Sequence, residues 1–197
     1  MKTESEKTVA AILPAAEREF GERGFHAARL SDIADATGIS RPSLLYHHPS
    51  KEALYAAVVR WAFGDLATRL SGVLARPGSA EEAIFAVVGA FRDFLAQRPA
   101  LARLLVRELL SDDGPGRQVL LDEIVPLLDL VERSLFQRHS PVEEIRVREA
   151  VLTVAASMLL RRASGEMGRA LWGIEDGSER MAVALILGNK TVSEVAS

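Results

Sequence analysis

Cysteine is absent from the 197-residue chain. This excludes a disulfide framework, thiolate metal sites and a cysteine nucleophile, and it fits a cytoplasmic protein. Aromatic residues are scarce, at 6%. No stretch approaches the roughly 18 uninterrupted apolar residues of a membrane span, so no membrane partner is expected. The opening MKTESEKTVAAILPAAEREF alternates charged with apolar residues, unlike a secretory leader with its basic head and unbroken apolar run. An excess of one charge is also missing: the formal net charge is -3. Residues 1–60 hold eight Lys/Arg and eight Asp/Glu, so any contact with a polyanion must rest on local positive charge. The acid-free stretch from Ala36 to Lys51, with Arg41, His47, His48 and Lys51, is the candidate.

What is present is helical periodicity from end to end, with no convincing alternation of period two, and the chain reads as all-α. Val9, Ile12, Leu13, Ala16 and Phe20 recur at spacings of three and four, predicting a first helix from about Ser5 to Glu22, with Gly21 and Gly24 where the pattern stops. Pro14 either bends that helix or marks its first turn. Two short helices follow, Leu30 to Thr37 and Ser40 to His47, broken at Gly38. Ser50 caps a long helix to about Leu74, and Ser79 with Glu82 forms a capping box for another to about Gln97. Pro99 opens a helix through Leu109, and the turn-rich run from Ser111 to Gly116 ends it. A helix from about Arg117 to Arg138 holds Pro126, where a kink is expected. The last two helices are about Val142 to Arg162 and Ser178 to Leu187, separated by a Gly-containing linker.

Residues Leu30 to His47 have the anatomy of a helix-turn-helix. Ala34 is small where two helices cross, Gly38 permits a backbone conformation other residues adopt at a cost, and Ile33, Ile39 and Leu44 face a shared core. Ser40 is placed to cap the second helix. With Leu44 and Leu45 inward, the 3.6-residue period turns Arg41, Pro42, Ser43, Tyr46 and His47 outward, toward a DNA major groove.

Residues 9 to about 60 resemble the DNA-binding region of the tetracycline-repressor (TetR) family of transcription regulators. The resemblance rests on Phe20-Gly21-Glu22-Arg23-Gly24-Phe25, on Asp32-Ile33-Ala34-Asp35-Ala36-Thr37-Gly38-Ile39-Ser40, and on Tyr46-His47 followed by Pro49-Ser50-Lys51-Glu52-Ala53-Leu54. It implies backbone-phosphate contacts for Tyr46, His47 and Lys51. Lys51 also stands at a helix N-terminus, whose free donors favour a phosphate. The chain departs from the family pattern at His48, where members carry an aromatic on the inward face, and at Ala28 and Arg29, where they carry Ser or Thr. Arg29 can supply the phosphate contact by charge. The missing helix cap must then come from elsewhere, with Ser31 and a shifted start as the candidate.

The remaining two-thirds resembles the family in architecture, a helical effector-binding and dimerisation domain. Phe63, Phe85, Phe91, Phe94, Met158 and Trp172 either line a cavity for a small-molecule effector or form plain core. Arg103 and Arg107, one turn apart, are either a solvated pair or a receptor for an anionic effector. The apolar run Met181 to Leu187 is broader than one buried face requires, as is the helix carrying Val151, Ala155, Met158 and Leu159. Val151, Ala155, Met158, Leu159, Met181 and Leu185 are therefore candidate homodimer contacts. His26 and His139 read as surface loop histidines, and Asp112-Asp113 and Glu143-Glu144 as solvated acids. Metal-ligand spacing and catalytic constellations are lacking, so neither metal, cofactor nor enzymatic activity is expected.

The sequence thus predicts a DNA-binding head at residues 1–48 and an effector-binding, dimerising body at 49–197, linked by the helix starting near residue 50. The expected function is that of a ligand-responsive repressor, a homodimer on a palindromic double-stranded operator. The competing expectation is a helical small-molecule binding protein that has lost DNA binding, with Ala28, Arg29 and His48 as marks of decay.

Overall fold

The computed structural model describes residues 4–111, 114–138, 144–173 and 177–187. Asp112, Asp113, His139, Val142 and Glu143 lie outside the described residues. Among these residues the chain forms ten helices and no strand: α1 (Glu4–Ala27), α2 (Leu30–Thr37), α3 (Arg41–His47), α4 (Lys51–Leu74), α5 (Ala80–Gln97), α6 (Pro99–Leu109), α7 (Arg117–Arg138), α8 (Glu144–Ala163), α9 (Gly165–Trp172) and α10 (Ser178–Leu187). The compact units divide the chain differently from the functional boundary expected at residue 48. One comprises Met1–Asp65 with Arg98–Glu123, the other Leu66–Gln97 with Ile124–Ser197.

In the first unit α1 packs against both α2 and α6. It runs through Pro14 and Gly21 and breaks at Gly24, whose φ of 78° lies in the left-handed region that only glycine adopts at little cost. Phe20, fully buried, meets Tyr55 of α4 edge-on at 5.0 Å, and Phe25 meets the same ring at 5.4 Å. Arg98, at the start of α6, ties three helices together. It donates to Glu17 of α1 at 2.7 Å, reaches Asp65 of α4 at 3.4 Å and stacks over Trp61 at 3.9 Å. Burial pushes the Glu17 carboxyl above its ordinary range, and the Arg98 guanidinium opposes that shift.

In the second unit α10 packs against α5 and α8, and α8 against α9. Phe94, Leu95, Val147, Val154, Ala182 and Ile186 are buried there. Arginines bind the surface helices together: Arg92 to Glu179 at 2.6 Å, Arg162 to the Ala96 carbonyl at 2.6 Å, and Arg148 to Glu132 and Asp129. Arg138 donates to the Leu74, Arg76 and Gly78 carbonyls, satisfying acceptors left at the end of α4. The Ser79–Glu82 capping box forms as expected, with Glu82 N–H donating to Ser79 Oγ at 3.2 Å and Ser79 N–H to Glu82 Oε2 at 2.8 Å. The expected linker before the last helix holds α9 instead. Gly168 in it is buried, and a Cβ there would lie 2.4 Å from the Arg161 carbonyl oxygen, so this glycine serves close backbone approach.

Candidate nucleic-acid interface

The turn between α2 and α3 is built from backbone chemistry. Gly38 is left-handed at φ 70°, ψ 24°, the Ile39 N–H reaches back to the Ala34 carbonyl at 3.1 Å, and the Thr37 hydroxyl donates to the Ile33 and Ala34 carbonyls at 3.0 Å. These bonds satisfy acceptors left at the end of α2. Ser40, in extended conformation, then caps α3, its Oγ accepting from the Ser43 N–H at 3.2 Å, and Pro42 in the first turn spares a donor that would have no helical partner.

Burial sorts the seven residues of α3 by face. Leu44 is 0% exposed and anchors the helix, while Tyr46 is 85% exposed and Arg41, Pro42 and His47 are exposed with it; Ser43 is half-buried. Tyr46 and His47 meet edge-on at 5.4 Å, presenting one aromatic and polar surface. His48 ends the helix in extended conformation, half-buried, with its N–H on the Leu44 carbonyl at 2.9 Å. Partial burial, reinforced by neighbouring His47, holds its imidazole pKa below the ordinary value of 6.5.

Lys51 opens α4, whose first turn is capped by Ser50 accepting from the Ala53 N–H at 3.1 Å. Its ammonium donates to the His26 carbonyl at 3.0 Å and lies 4.9 Å from the centre of the Phe25 ring. The lysine is thus held between α1 and α4. Arg29 stands exposed at the N-cap of α2, and its own side chain makes no cap. Glu19 of α1 holds the backbone that enters α2, its Oε1 accepting from the Arg29 N–H at 3.3 Å while also pairing with Arg23 at 3.1 Å. Ser31, the expected cap, donates to Asp32 instead, at 3.2 Å.

The effector candidates divide between the two units: Phe63, Arg103 and Arg107 belong to the first, and Phe85, Phe91, Phe94, Met158 and Trp172 to the second. Phe63, Phe94 and Met158 are buried, Phe91 is half-buried, and Phe85 and Trp172 are exposed. Arg107 donates to the Glu22 carbonyl at 3.1 Å, which gives it a structural task at the end of α1.

Of the candidate dimer contacts, Met158 and Leu159 are buried within the chain, Val151 and Ala155 are half-buried, and Met181 and Leu185 are exposed. The large apolar side chains that α8 leaves exposed, among the described residues, are Leu152 and Leu160, both at 45%. Among the described residues, no group of three or more His, Cys, Asp or Glu could hold a metal ion, and no helix is long and apolar enough to cross a membrane.

Comparison with known proteins converges on the same segment. Residues 12–58 match the model for bacterial regulatory proteins of the tetR family. The HTH-type transcriptional regulator RutR of Escherichia coli K12 is 35% identical over 121 residues, covering 58% of this chain and 51% of RutR. The HTH-type transcriptional activator FasR of Mycolicibacterium smegmatis is 37% identical over 84 residues, 43% of this chain and 38% of FasR. The chain thus matches about half the length or less of these curated relatives. Similarity of fold extends further. The regulator FadR of Bacillus subtilis in complex with stearoyl-CoA superposes with a TM-score of 0.76 at 18% identity, covering 91% of this chain and 98% of that one. A TetR-like regulator from Rhodococcus sp. RHA1 gives 0.73 at 20% identity, covering 94% and 96%. In its helix-turn-helix segment the chain is thus similar to the tetR family of bacterial regulatory proteins, and its fold is similar to that of a TetR-like regulator.

Proposed function

We propose that the protein is a sequence-specific, double-stranded-DNA-binding transcriptional regulator of the cytoplasm, a homodimeric repressor that releases a palindromic operator when a small-molecule effector binds. The observation that carries this reading is the division of α3, with Leu44 fully buried and Arg41, Pro42, Tyr46 and His47 left exposed on a capped helix. Arg41 and Ser43 are assigned to base edges and Ser40 and Pro42 to the groove wall. Arg29, Tyr46, His47 and Lys51 are assigned to phosphates, which fix register without reading sequence.

Dimerisation is supported by α8 and α10, which pack on one another and still leave Leu152, Leu160, Met181 and Leu185 exposed. Two copies joined there would present paired recognition helices, matched to half-sites roughly 34 to 36 Å apart when these are one helical turn apart. An effector controls binding by favouring the dimer conformation in which that spacing is lost. The similarly folded FadR, solved with stearoyl-CoA, is consistent with an effector that carries a long acyl chain.

Selection of bound sequences from random duplex DNA by the purified protein tests the reading. The expected result is enrichment of a two-fold symmetric site whose binding weakens steeply with salt. Failure to enrich any sequence, with no salt-dependent binding, would overturn it.

A further inference from the structure

The last turn of α6 carries two adjacent charged residues that grip different parts of the first unit. Arg107 holds the Glu22 carbonyl near the break in α1. Glu108 is only 7% exposed, and both its oxygens are occupied: Oε2 accepts from the Tyr55 hydroxyl at 2.8 Å and Oε1 from the Gly116 N–H at 2.7 Å. A buried carboxylate is tolerated only when hydrogen-bonded in this way. Its surroundings are shaped to the pair. A Cβ on Gly116 would lie 2.4 Å from Tyr55 Cε1, so Gly116 reaches the pair this closely because it is glycine.

Tyr55 stands one helical turn beyond Lys51 on α4, so the two share a face. Its ring meets Phe25 edge-on, and Phe25 in turn lies under the Lys51 ammonium, which the next residue's carbonyl, that of His26, also holds. Burial and the adjacent Glu108 raise the Tyr55 hydroxyl pKa far above its ordinary value, so it remains a donor throughout the physiological range.

We propose that Glu108 is a positioning residue for DNA binding: through Tyr55 and Phe25 it sets the Lys51 ammonium at its phosphate. This rests on the DNA-binding reading above. The coupling runs through the first unit alone, from Glu108 on α6 to the end of α4 that carries the phosphate contact.

The test is a double-mutant cycle in the full-length protein, with Tyr55→Phe, Lys51→Ala and their combination measured on the selected duplex and by thermal melting. Tyr55→Phe keeps the ring and removes only the bond to Glu108. It is expected to weaken DNA binding by about three- to tenfold in the wild-type background, the size of an ordinary coupling between neighbours, and to have no further effect once Lys51 is alanine. A purely structural bond would lower the melting temperature and leave the affinity of folded protein unchanged, or cost the same factor in both backgrounds. Either result overturns the proposal. Should Tyr55→Phe not fold, Glu108→Gln replaces it in the same cycle with the same outcomes required. If the wild type binds no duplex at all, the DNA-binding reading fails first and the proposal with it. If it binds and the cycle is additive, only the positioning role falls.

Discussion

Gly21 of α1 lies so close to Ala100 of α6 that a Cβ on the glycine would stand 2.2 Å from the Ala100 carbonyl oxygen. The obstacle is backbone, which cannot swing aside as a side chain can. Gly21→Ala should therefore force α1 and α6 apart and destabilise the protein by about 1 to 3 kcal/mol, the usual range for overpacking a well-filled site. Denaturant melts of both proteins check this; equal stability would mean that the crossing relaxes without cost.

Lys51→Ala should weaken DNA binding with little change in base preference, because a phosphate contact carries affinity more than sequence information. The slope of log affinity against log salt should fall by about one. Titrations at several salt concentrations give the slope, and an unchanged value would remove Lys51 from the phosphate contacts. Tyr46→Phe should likewise weaken binding on all sequences alike, without altering that slope.

Arg41→Ala tests base reading. Arg41 is the long donor on the exposed face of α3, in its first turn. If it pairs with guanine, the variant should lose about 1 to 3 kcal/mol on the selected site and much less on other sequences. Uniform loss across sequences would reassign Arg41 to a phosphate.

Leu185→Glu tests the dimer. Leu185 is 44% exposed in the single chain, so a carboxylate there costs the monomer fold little, whereas in an apolar interface it would be buried and unpaired. Sedimentation should show a folded monomer. A stable dimer carrying Leu185→Glu would move the interface elsewhere.

His48 has a pH signature with a definite sign. Its folded pKa lies below the ordinary 6.5, so as pH falls the unfolded chain takes up the proton first. Stability should accordingly decline as pH drops from about 6.5 through the folded value. His48→Phe should abolish that decline and stabilise the protein by about 0.5 to 2 kcal/mol, with operator binding retained. Melts and DNA titrations at pH 6 and 8 decide it, since loss of binding confined to pH 6 without any gain in stability would make His48 a charged phosphate ligand instead.

The local signals were legible and the distant ones were not. Gly38, Ser40 and Leu44 announce the helix-turn-helix because a left-handed turn, a cap and an apolar anchor all act within a few residues. The same holds for Ser50 and for Ser79 with Glu82. Glu19 as the partner of the Arg29 N–H is ten residues away and carries no spacing signal of its own. Tyr55 and Glu108 are 53 apart, and in one dimension each is an unremarked residue of an amphipathic helix. Gly21 reads as a helix stop, yet its task is to let another helix approach, and Gly168 misleads in the same way. On α8 the apolar stripe spans more than one face, so periodicity alone could not decide that Met158 points inward and Leu152 outward.

The first unit is assembled from two separated stretches of chain, and this bears on how the protein can be cut and recombined. A fragment ending near residue 65 would keep every residue assigned to DNA, and one ending near residue 48 all but Lys51, yet either would lack Arg98 opposite Glu17, Ala100 beneath Gly21 and Arg107 at the end of α1. Such a fragment would expose the flank of α1 that α6 covers. A chimera meant to carry this helix-turn-helix on another body must therefore take residues 98–123 along with it, or find in its host a sixth helix with the same three attachments.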